Sequence, residues 1–484
     1  MKKRITVALL AALILSSVSC GGETPDVTDE TTPADTTTEA VDEYKYENNY
    51  GGRDFNILGT IDIYSMHMEF DRDEQNGEAL NDAIYNRNRL VEQKLNIKIN
   101  ETKVDKAGAI NKTVAEYIRQ SVEADDYLYD LTFIAPPVCA PYVRDGYFYD
   151  LKDYEGFQLD REWYNHSYNS DMELGGKLYY GMSDATVGLT DGLWVLFFNE
   201  DMTEKLGLEK PYDLVREGKW TLDRLKEYLA AAANLNGDDD FNWDQNGKAV
   251  YGLSMMPYCN YYFLRSFGEK MVENKNDELV FTAGSEHFMN AVDKLYAIND
   301  PTLGLLHKSE ASDFDLAGGG YITAFMNQRA LFLTSEVSKS QNFRDLNFMY
   351  GMIPFPKLDE TQEKYATNVY QGALAFSIPV SCKTPEETAV IFDALAYEGK
   401  KSVVPVYRSV TVEQKGLRNE DSIEMLGIVT ESVSNDIGLA YGLFGGFIGS
   451  IYGDVSDRKG TMASLIESYK TSIGAELEKI NNER

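Results

Sequence analysis

Residues 76–100 read NGEALNDAIYNRNRLVEQKLNIKIN, and this stretch decides the fold. Its apolar side chains recur at the spacing of one helix face: Leu80, Ile84, Val91 and Leu95. Asn76 and Glu78 stand where a helix N-cap is expected, and Ile97 and Ile99 then alternate as in a short strand. The stretch therefore predicts an amphipathic helix that runs directly into a strand.

Strands and helices alternate on both sides of this stretch. DFNILGTIDIYSM (54–66) predicts a strand before the helix, NKTVAEYIRQSVEADD (111–126) a second helix, and LYDLTFIAP (128–136) another strand. Farther along, GLWVLFFNEDM (192–202) predicts a strongly apolar strand and EGKWTLDRLKEYLAAAANL (217–235) a helix. Because this alternation is typical of βαβ units, the sequence predicts an α/β fold with largely parallel sheets.

Length and charge narrow the class of protein. A chain of 484 residues is longer than one hydrophobic core supports, so two lobes are expected. The net charge of −32 repels phosphate backbones and argues against nucleic acid as a partner. Cys139, Cys259 and Cys382 lack CxxC spacing, so we expect buried thiols, with one disulfide as the alternative.

The N-terminus has the features of a secretory signal that ends at a cysteine. Residues 2–4 are basic, and the apolar run over 5–15 is shorter than the about 20 residues of a membrane span. The passage into Cys20 resembles a bacterial lipobox, with Ser17 where Leu is usual. We therefore expect residues 1–19 to be a signal peptide and Cys20 to be lipidated. An ordinary signal peptide is the alternative.

Residues 20–50 are rich in Thr, Asp and Glu. Such a segment buries too little apolar surface to offset its conformational entropy, so we expect a disordered acidic tether. Lipidation of Cys20 would then hold a folded body at the extracellular face of the cell membrane.

The order of the segments resembles the extracellular solute-binding proteins of bacterial ABC transporters, in particular their sugar-binding branch. Residues 81–99 are similar to the first helix and second strand of such lipoproteins, and 129–151 to the next strand and helix. GKLYYGM (176–182) followed by LFFNEDMTEKLGL (196–208) is similar to the crossing into the second lobe. FMNQRALFLTSEV (325–337) resembles the return towards the first lobe.

This resemblance implies a periplasmic-binding-protein-like fold, in which crossing hinge segments join two α/β lobes around a ligand cleft. Lobe one would comprise residues 51–186 and 358–405, and lobe two 187–357 and 406–484. It also implies a monomer without enzymatic activity or cofactor, which captures a small molecule and delivers it to ABC permease subunits by lobe closure. An oligosaccharide is the expected ligand, and a peptide or another polar solute is the alternative.

Aromatic rings match the apolar faces of sugars, and carboxylates match their hydroxyl groups, so both types are candidate ligand contacts. The loop after the first strand offers Tyr64, His67 and Glu69, because α/β sheets bind ligands at their strand ends. Asp184 and Trp194 flank the first predicted crossing. The other candidates lie near later crossings or in the cluster YCNYYF, for which helix packing is the alternative: Tyr258, Glu336 and Tyr370.

The loop NLNGDDDFNWDQNG (234–247) places oxygen ligands at every second residue, as calcium requires: Asp238, Asp240, Asn242 and Asp244. An EF-hand needs Gly at its sixth position and Glu at its twelfth, where this loop has Trp243 and Ala249. We therefore expect a solvated acidic turn, with a calcium site as the alternative.

A secreted glycoside hydrolase is the competing class, because carboxylates and aromatic rings also serve that chemistry. The sequence has no GxSxG, HExxH or Walker A motif, and its four histidines form no apparent metal cluster. The sequence therefore favours a binding protein over an enzyme.

Overall fold

Two sheets with helices packed against them organise the chain. The computed structural model describes residues 44–62, 66–105, 112–256, 258–276, 278–306, 320–414, 416–417, 419–443 and 446–482. Residues 1–19, which we expect to be a signal peptide, therefore lie outside the described residues, as do Cys20 and most of the expected tether. The chain from residue 45 onwards forms one compact unit.

Short strands and mostly short helices follow one another along the chain. The strands are β1 (Arg53–Thr60), β2 (Ile97–Val104), β3 (Leu131–Ile134), β4 (Trp194–Asn199), β5 (Tyr251–Ser254), β6 (Val272–Lys275), β7 (Glu278–Phe281), β8 (Leu305–Leu306), β9 (Ala330–Glu336), β10 (Tyr350–Ile353) and β11 (Ala375–Ser377). The helices are α1 (Ala79–Leu95), α2 (Lys112–Ala124), α3 (Pro136–Arg144), α4 (His166–Asp171), α5 (Gly188–Asp191), α6 (Glu200–Lys205), α7 (Tyr212–Arg216), α8 (Leu222–Ala232), α9 (Cys259–Ser266), α10 (Glu286–Ile298), α11 (Gly320–Met326), α12 (Pro385–Glu398), α13 (Val404–Val406), α14 (Glu420–Glu431), α15 (Ile437–Ala440), α16 (Phe447–Ser456) and α17 (Met462–Asn482). Residues 399–403 and 407–414, on either side of α13, are wound as π-helix.

The first sheet has the strand order β11-β3-β1-β2, in which β1, β2 and β3 are parallel and β11 is antiparallel to β3. Helix α1 connects the loop after β1 to β2, as the sequence predicts. The Glu78 side chain caps α1 by accepting a hydrogen bond from the Asn81 amide, and Asn96 ends it in the left-handed conformation with φ 52°. Helices α1 and α12 pack against each other in this part of the chain, which we call lobe one.

The second sheet has the strand order β10-β4-β9-β5-β8 and is mixed. Strand β4 is antiparallel to both of its neighbours, β9 and β10, whereas β5 is parallel to β9 and β8. The expectation of largely parallel sheets is therefore met in the first sheet and not in the second. Helices α8 and α14 pack on this sheet, and α9 packs on α10 and α16; we call this part lobe two.

Crossing segments join the two lobes side by side. Leu193 and Val369 form an antiparallel bridge, flanked by hydrogen bonds from the Tyr370 amide to the Gly192 carbonyl (2.6 Å) and from the Trp194 amide to the Asn368 carbonyl (2.9 Å). A third segment joins this pair, because Thr367 pairs with Val433 in parallel. The α/β fold with crossing hinge segments is thereby confirmed.

The exact lobe bounds stay a prediction, and two sets of contacts bear on them. Gln362 Nε2 donates to the Ser266 carbonyl and the Tyr365 hydroxyl to the Val215 carbonyl, so the chain after Lys357 still lies against lobe two. At the other end of the body, the Tyr46 hydroxyl donates to Glu398 Oε1 at 2.5 Å. The last residues assigned to the tether therefore contact lobe one.

Two further features bear on the sequence analysis. Cys259 and Cys382 are buried free thiols, so neither takes part in a disulfide; the side chain of Cys139 lies outside the described residues. Among the described residues, no helix is both long enough and apolar enough to cross a membrane.

A candidate ligand-binding site beside the crossing segments

Trp194 and Glu336 lie opposite each other at the ends of two paired strands. Trp194 is the first residue of β4 and pairs in register with Glu336, the last residue of β9. Both strands are buried along their whole length, because their continuous apolar runs are covered on both faces. The indole is fully buried, and Glu336 is 7% exposed. A carboxylate and an aromatic ring thus meet directly beside the crossing.

Tyrosine rings carried by α9, α11 and α16, or by the residue that precedes α9, surround Trp194 and Glu336. The Trp194 ring contacts Tyr258 edge-on at 5.5 Å and Tyr262 at 4.8 Å between ring centroids. Tyr258 also lies 6.3 Å from Tyr452 of α16, which packs on α9. Tyr321 of α11 is buried and faces the same carboxylate. We call this set, with Glu336, the ring cluster.

The hydroxyl groups of the ring cluster are neutral over the physiological range. Burial raises the pKa of Tyr258 well above its ordinary value, and the Glu336 carboxylate raises it further. Burial is also the main cause of the raised pKa values of Tyr262 and Tyr321. A neutral phenol both donates and accepts hydrogen bonds, so these groups suit an uncharged polyhydroxyl ligand.

Trp194 carries a buried donor without an acceptor. Among the described residues, no group accepts a hydrogen bond from its Nε1 atom, although buried donors are nearly always paired. The Glu336 carboxylate accepts a hydrogen bond from the Ser335 hydroxyl (3.1 Å) and has further acceptor capacity. One donor and one acceptor of the ring cluster are therefore available to a ligand.

Tyr370 links the ring cluster to the boundary between the lobes. It is half-buried, and it lines a cavity of 30 Å³ between Pro137 and Tyr168 of lobe one and Leu439 of lobe two. Such a cavity holds about one water molecule and is far smaller than the sites of small-molecule ligands. The lobes are thus closed on each other here, and a ligand would enter by their separation.

Direct contacts between the lobes support this closed arrangement. Asp171 of α4 forms an ion pair with Lys270 (2.6 Å) and accepts a hydrogen bond from the Asn435 amide (2.8 Å). The Tyr441 hydroxyl donates to the Met172 carbonyl at 3.2 Å. These polar contacts can be exchanged for water when the lobes open.

Two larger cavities have linings that include no residue of the ring cluster. One of 470 Å³ is lined by Phe241 and Leu305 near the acidic loop, and one of 620 Å³ lies between the lobes, lined by Asp171 of lobe one and Asn274 of lobe two. Neither combines aromatic rings with an available buried donor, so cavity volume alone does not identify the site. The ring cluster is the better candidate because its chemistry matches a specific class of ligand.

The loop after β1 holds the next two candidates, while Tyr64 lies outside the described residues. The His67 ring contacts the Asp191 carboxylate, with 3.0 Å between Nδ1 and Oδ2. Glu69 forms ion pairs with Lys103 (2.9 Å) and Arg72 (3.0 Å). Burial would raise the pKa of Glu69, but these cations lower it overall. Glu69 is therefore engaged in a local ion-pair network.

Asp184 lies apart from the ring cluster. Its carboxylate is 3.7 Å from the Lys400 ammonium group. Burial raises the pKa of Asp184 to about 6, and Lys400 only partly opposes this effect. A ligand contact by Asp184 stays a prediction.

The carboxylates of the acidic loop cap backbone amides of their own loop. Asp238 accepts hydrogen bonds from the amides of Lys248 (2.5 Å) and Ala249 (2.7 Å). Asp240 and Asp244 each accept from the amide two residues later, which is the Asx-turn pattern. In the part of the chain that the structure describes, no group of three or more His, Cys, Asp or Glu side chains is placed to hold a metal ion.

We expect that adding calcium leaves the melting temperature of the protein unchanged, because the carboxylates of this loop are already bonded to its amides. The protein is first treated with a chelator, and its thermal unfolding is then measured with millimolar calcium and, separately, with millimolar magnesium. A rise with calcium alone would assign the loop a calcium site, since binding to the native state raises the melting temperature.

Tyr321 and Tyr452 are not among the candidates that the sequence offers, and Tyr262 belongs to the cluster YCNYYF, for which helix packing is the alternative. Tyr452 lies within GFIGSIYGDV (446–455), whose pattern indicates only a buried helix face. Its approach to Tyr258 depends on the packing of α16 on α9, which local sequence does not encode.

Comparisons with known proteins agree on the fold. No family model and no curated protein matches the chain. A solved structure of the galacto-N-biose/lacto-N-biose I-binding protein of an ABC transporter from Bifidobacterium longum has a TM-score of 0.60 at 12% identity, covering 90% of this chain and 98% of that one. The cyclic α-maltosyl-1,6-maltose-binding protein from Arthrobacter globiformis gives a TM-score of 0.60 at 12% identity, covering 89% and 100%.

An ABC substrate-binding protein from Listeria monocytogenes in complex with cycloalternan gives a TM-score of 0.55 at 14% identity, covering 89% of this chain and 99% of that one. At such low identities the likeness concerns the fold. The chain has the two-lobed fold of ABC-transporter substrate-binding proteins, as the resemblance of its sequence implied.

Proposed function

We propose that this protein is a solute-binding protein that captures an oligosaccharide and delivers it to an ABC importer. The observation that carries the proposal is the ring cluster at the crossing segments, with the unpaired Trp194 Nε1 donor beside the Glu336 carboxylate. Aromatic faces stack on the apolar faces of sugar rings, and neutral phenols and a carboxylate bind their hydroxyl groups. The solved structures of similar fold include sugar-bound complexes, which supports this ligand class.

Lobe closure is the proposed means of delivery. Crossing segments beside the ring cluster allow the lobes to rotate, and hinge closure around a ligand is a common response in two-lobed proteins. The closed form would bury the sugar and present a defined surface to the permease subunits. A peptide or another polar solute would use the same hinge with a different set of contacts.

A thermal-shift screen of residues 45–484 tests this function. The ligands are mono- and oligosaccharides, including lacto-N-biose, maltotetraose and cycloalternan, with short peptides as the other class. Ligand at 100-fold excess over Kd stabilises the native state by about 2.7 kcal/mol, which is measurable as a shift. Stabilisation by a sugar that stays intact on long incubation supports the proposal. A shift with peptides and with no sugar would make a peptide the ligand in place of an oligosaccharide. The appearance of sugar cleavage products would favour a hydrolase.

Lipidation at Cys20 is the proposed anchor. We expect the full chain to fractionate with membranes and to incorporate labelled fatty acid, whereas Cys20→Ala should do neither. The matched control is Ser19→Ala, which alters the neighbouring position and leaves the acceptor thiol. Equal membrane association of the Cys20→Ala variant would show that the cysteine is not the anchor.

A further inference from the structure

Asp191 joins three separate segments of the chain through one carboxylate. It ends helix α5, and its side chain is fully buried. Oδ2 accepts hydrogen bonds from the main-chain amide of His67 (2.6 Å) and from its ring Nδ1 (3.0 Å). Oδ1 accepts a hydrogen bond from the hydroxyl of Tyr407, which lies in the π-helical segment that leads back from lobe one. His67 and Tyr407 also pack edge-on, 5.6 Å apart.

The position of Asp191 in the chain connects these contacts to the ring cluster. The next residue, Gly192, accepts the amide hydrogen bond of Tyr370, and Trp194 follows two residues later. Asp191 is therefore one residue from the hydrogen bond that holds the Tyr370 amide and three residues from Trp194, so a shift of its backbone would act on both. Both side chains belong to the proposed binding site.

His67 begins a run of five residues whose main-chain amides are all held by carboxylates. From His67 to Asp71, five consecutive amides donate in turn to Asp191, to Asp62 twice, and to Glu101 twice. A run of amides bound in this way moves as a unit, because displacing it would break all five hydrogen bonds and leave the buried Asp191 carboxylate without two of its donors. Asp191 is the point at which this loop of lobe one is fastened to the crossing segment.

We propose that Asp191 is a positioning residue of the binding site, which couples lobe closure to the placement of Trp194 and Tyr370, and that His67 makes this coupling respond to pH. The inference rests on the proposed function, because it concerns the regulation of the same site. This proposal gives His67 a role at the hinge. A direct contact of His67 with the ligand stays a separate prediction.

The charges that face His67 set the direction of the pH effect. Burial lowers the pKa of His67, but Asp191 of the crossing segment and Asp62, two residues after β1, raise it overall, against a small opposing effect of Arg72 in its own loop. Tyr407 faces the same group and stays neutral, because burial raises its pKa well above the ordinary value. Closure that brings His67 onto Asp191 therefore takes up protons. The stabilisation that the His67–Asp191 contact gives to the closed form is complete below the ordinary pKa of histidine. It is lost as the pH rises through the raised pKa of His67.

The test is the pH profile of affinity for the sugar that gives the largest thermal shift, measured by calorimetry between pH 5.5 and 8.5. We expect the affinity of the wild-type protein to fall about 3- to 10-fold over this range. His67→Gln should show a flat profile, and Asp191→Asn should bind at least about 10-fold more weakly with a flat profile. His166→Gln is the matched control, since His166 bonds to the Arg161 carbonyl outside this contact, and it should keep the wild-type profile.

Tyr407→Phe provides a milder variant if Asp191→Asn does not fold, because it removes one donor and leaves the carboxylate. The affinity of this variant for the sugar should be lower than that of the wild-type protein, and it should still fall as the pH rises.

A second measurement follows His67 directly. The ring protons of His67, assigned from the His67→Gln spectrum, should titrate at higher pH in the sugar complex than in the free protein. Identical titration in both forms, or a wild-type affinity that does not vary with pH, would overturn the inference and leave the proposed function intact. Failure of every sugar to bind would overturn both.

Discussion

Asp393→Ala is expected to lower the free energy of unfolding by about 3 to 5 kcal/mol. Asp393 lies in α12, and its side chain is fully buried. Its carboxylate accepts hydrogen bonds from the Trp163 indole and the Tyr164 hydroxyl, both at 2.9 Å, and from the side-chain amide of Gln158 at 3.0 Å.

The reason for this size is that the substitution removes the common acceptor of several buried donors. Each buried donor that loses its partner costs about 1 to 3 kcal/mol, and the donors here come from one loop that Asp393 fastens to α12. Asp393→Asn should cost less, because its remaining carbonyl oxygen still accepts from Trp163 and Tyr164 while its amide group faces the Gln158 donor.

Urea unfolding followed by circular dichroism measures these differences. Asp160→Ala is the matched control, since Asp160 is an exposed aspartate of the same loop, and its midpoint should equal that of the wild-type protein. An Asp393→Ala midpoint within error of the Asp160→Ala midpoint would contradict the assigned role of the carboxylate.

Much of lobe one could be predicted from the sequence because its signals are local. The 3.6-residue spacing of α1 and the cap at Glu78 follow from neighbouring residues, and the parallel pairing of β1 with β2 follows from the helix between them. In lobe two, most of β4 and the first four residues of β9 are continuous apolar runs. Such runs indicate burial on both faces and carry no information on direction, so their antiparallel pairing could not be predicted.

The residues of the candidate site likewise fall into those that local sequence indicates and those that it does not. Trp194 and Glu336 could be selected from sequence because each stands at the end of an apolar run beside a predicted crossing. Asp191 precedes Trp194 by three residues, yet nothing in GLTDGLW (188–194) indicates its contacts with His67 and Tyr407. Those contacts join segments that are more than 100 residues apart, so they exist only after the lobes have assembled.

Trp194→Phe is expected to weaken sugar binding by about 10-fold and to lower the free energy of unfolding only by the cost of a smaller ring at a buried position. The substitution keeps an aromatic ring against Tyr258 and Tyr262 and removes the Nε1 donor, which has no acceptor among the described residues. Loss of an unpaired buried donor costs the free protein little. It removes a hydrogen bond from the complex if the ligand supplies the acceptor. Trp194→Ala should weaken binding by about 100-fold, since buried aromatic residues carry much of the energy of binding sites.

Trp220, in the same lobe, is a buried tryptophan whose indole N–H group does have an acceptor. Its ring is also fully buried, but its Nε1 atom donates to the Pro354 carbonyl at 3.1 Å. Trp220→Phe carries the same cost of a smaller ring and should lower the free energy of unfolding by about 1 to 3 kcal/mol more than Trp194→Phe does, because the Pro354 carbonyl is left without this donor. It should leave sugar affinity unchanged.

Calorimetric affinity and urea unfolding, measured on both variants, separate a ligand contact from a structural one. Reduced affinity with the smaller loss of stability for Trp194→Phe, and unchanged affinity with the larger loss of stability for Trp220→Phe, would assign the Trp194 indole to the ligand. Wild-type affinity of Trp194→Phe would remove its N–H group from the site, and wild-type affinity of a folded Trp194→Ala would remove the ring as well. The ligand would then have to lie closer to Tyr370 at the boundary of the lobes, where the same titration on Tyr370→Ala would locate it.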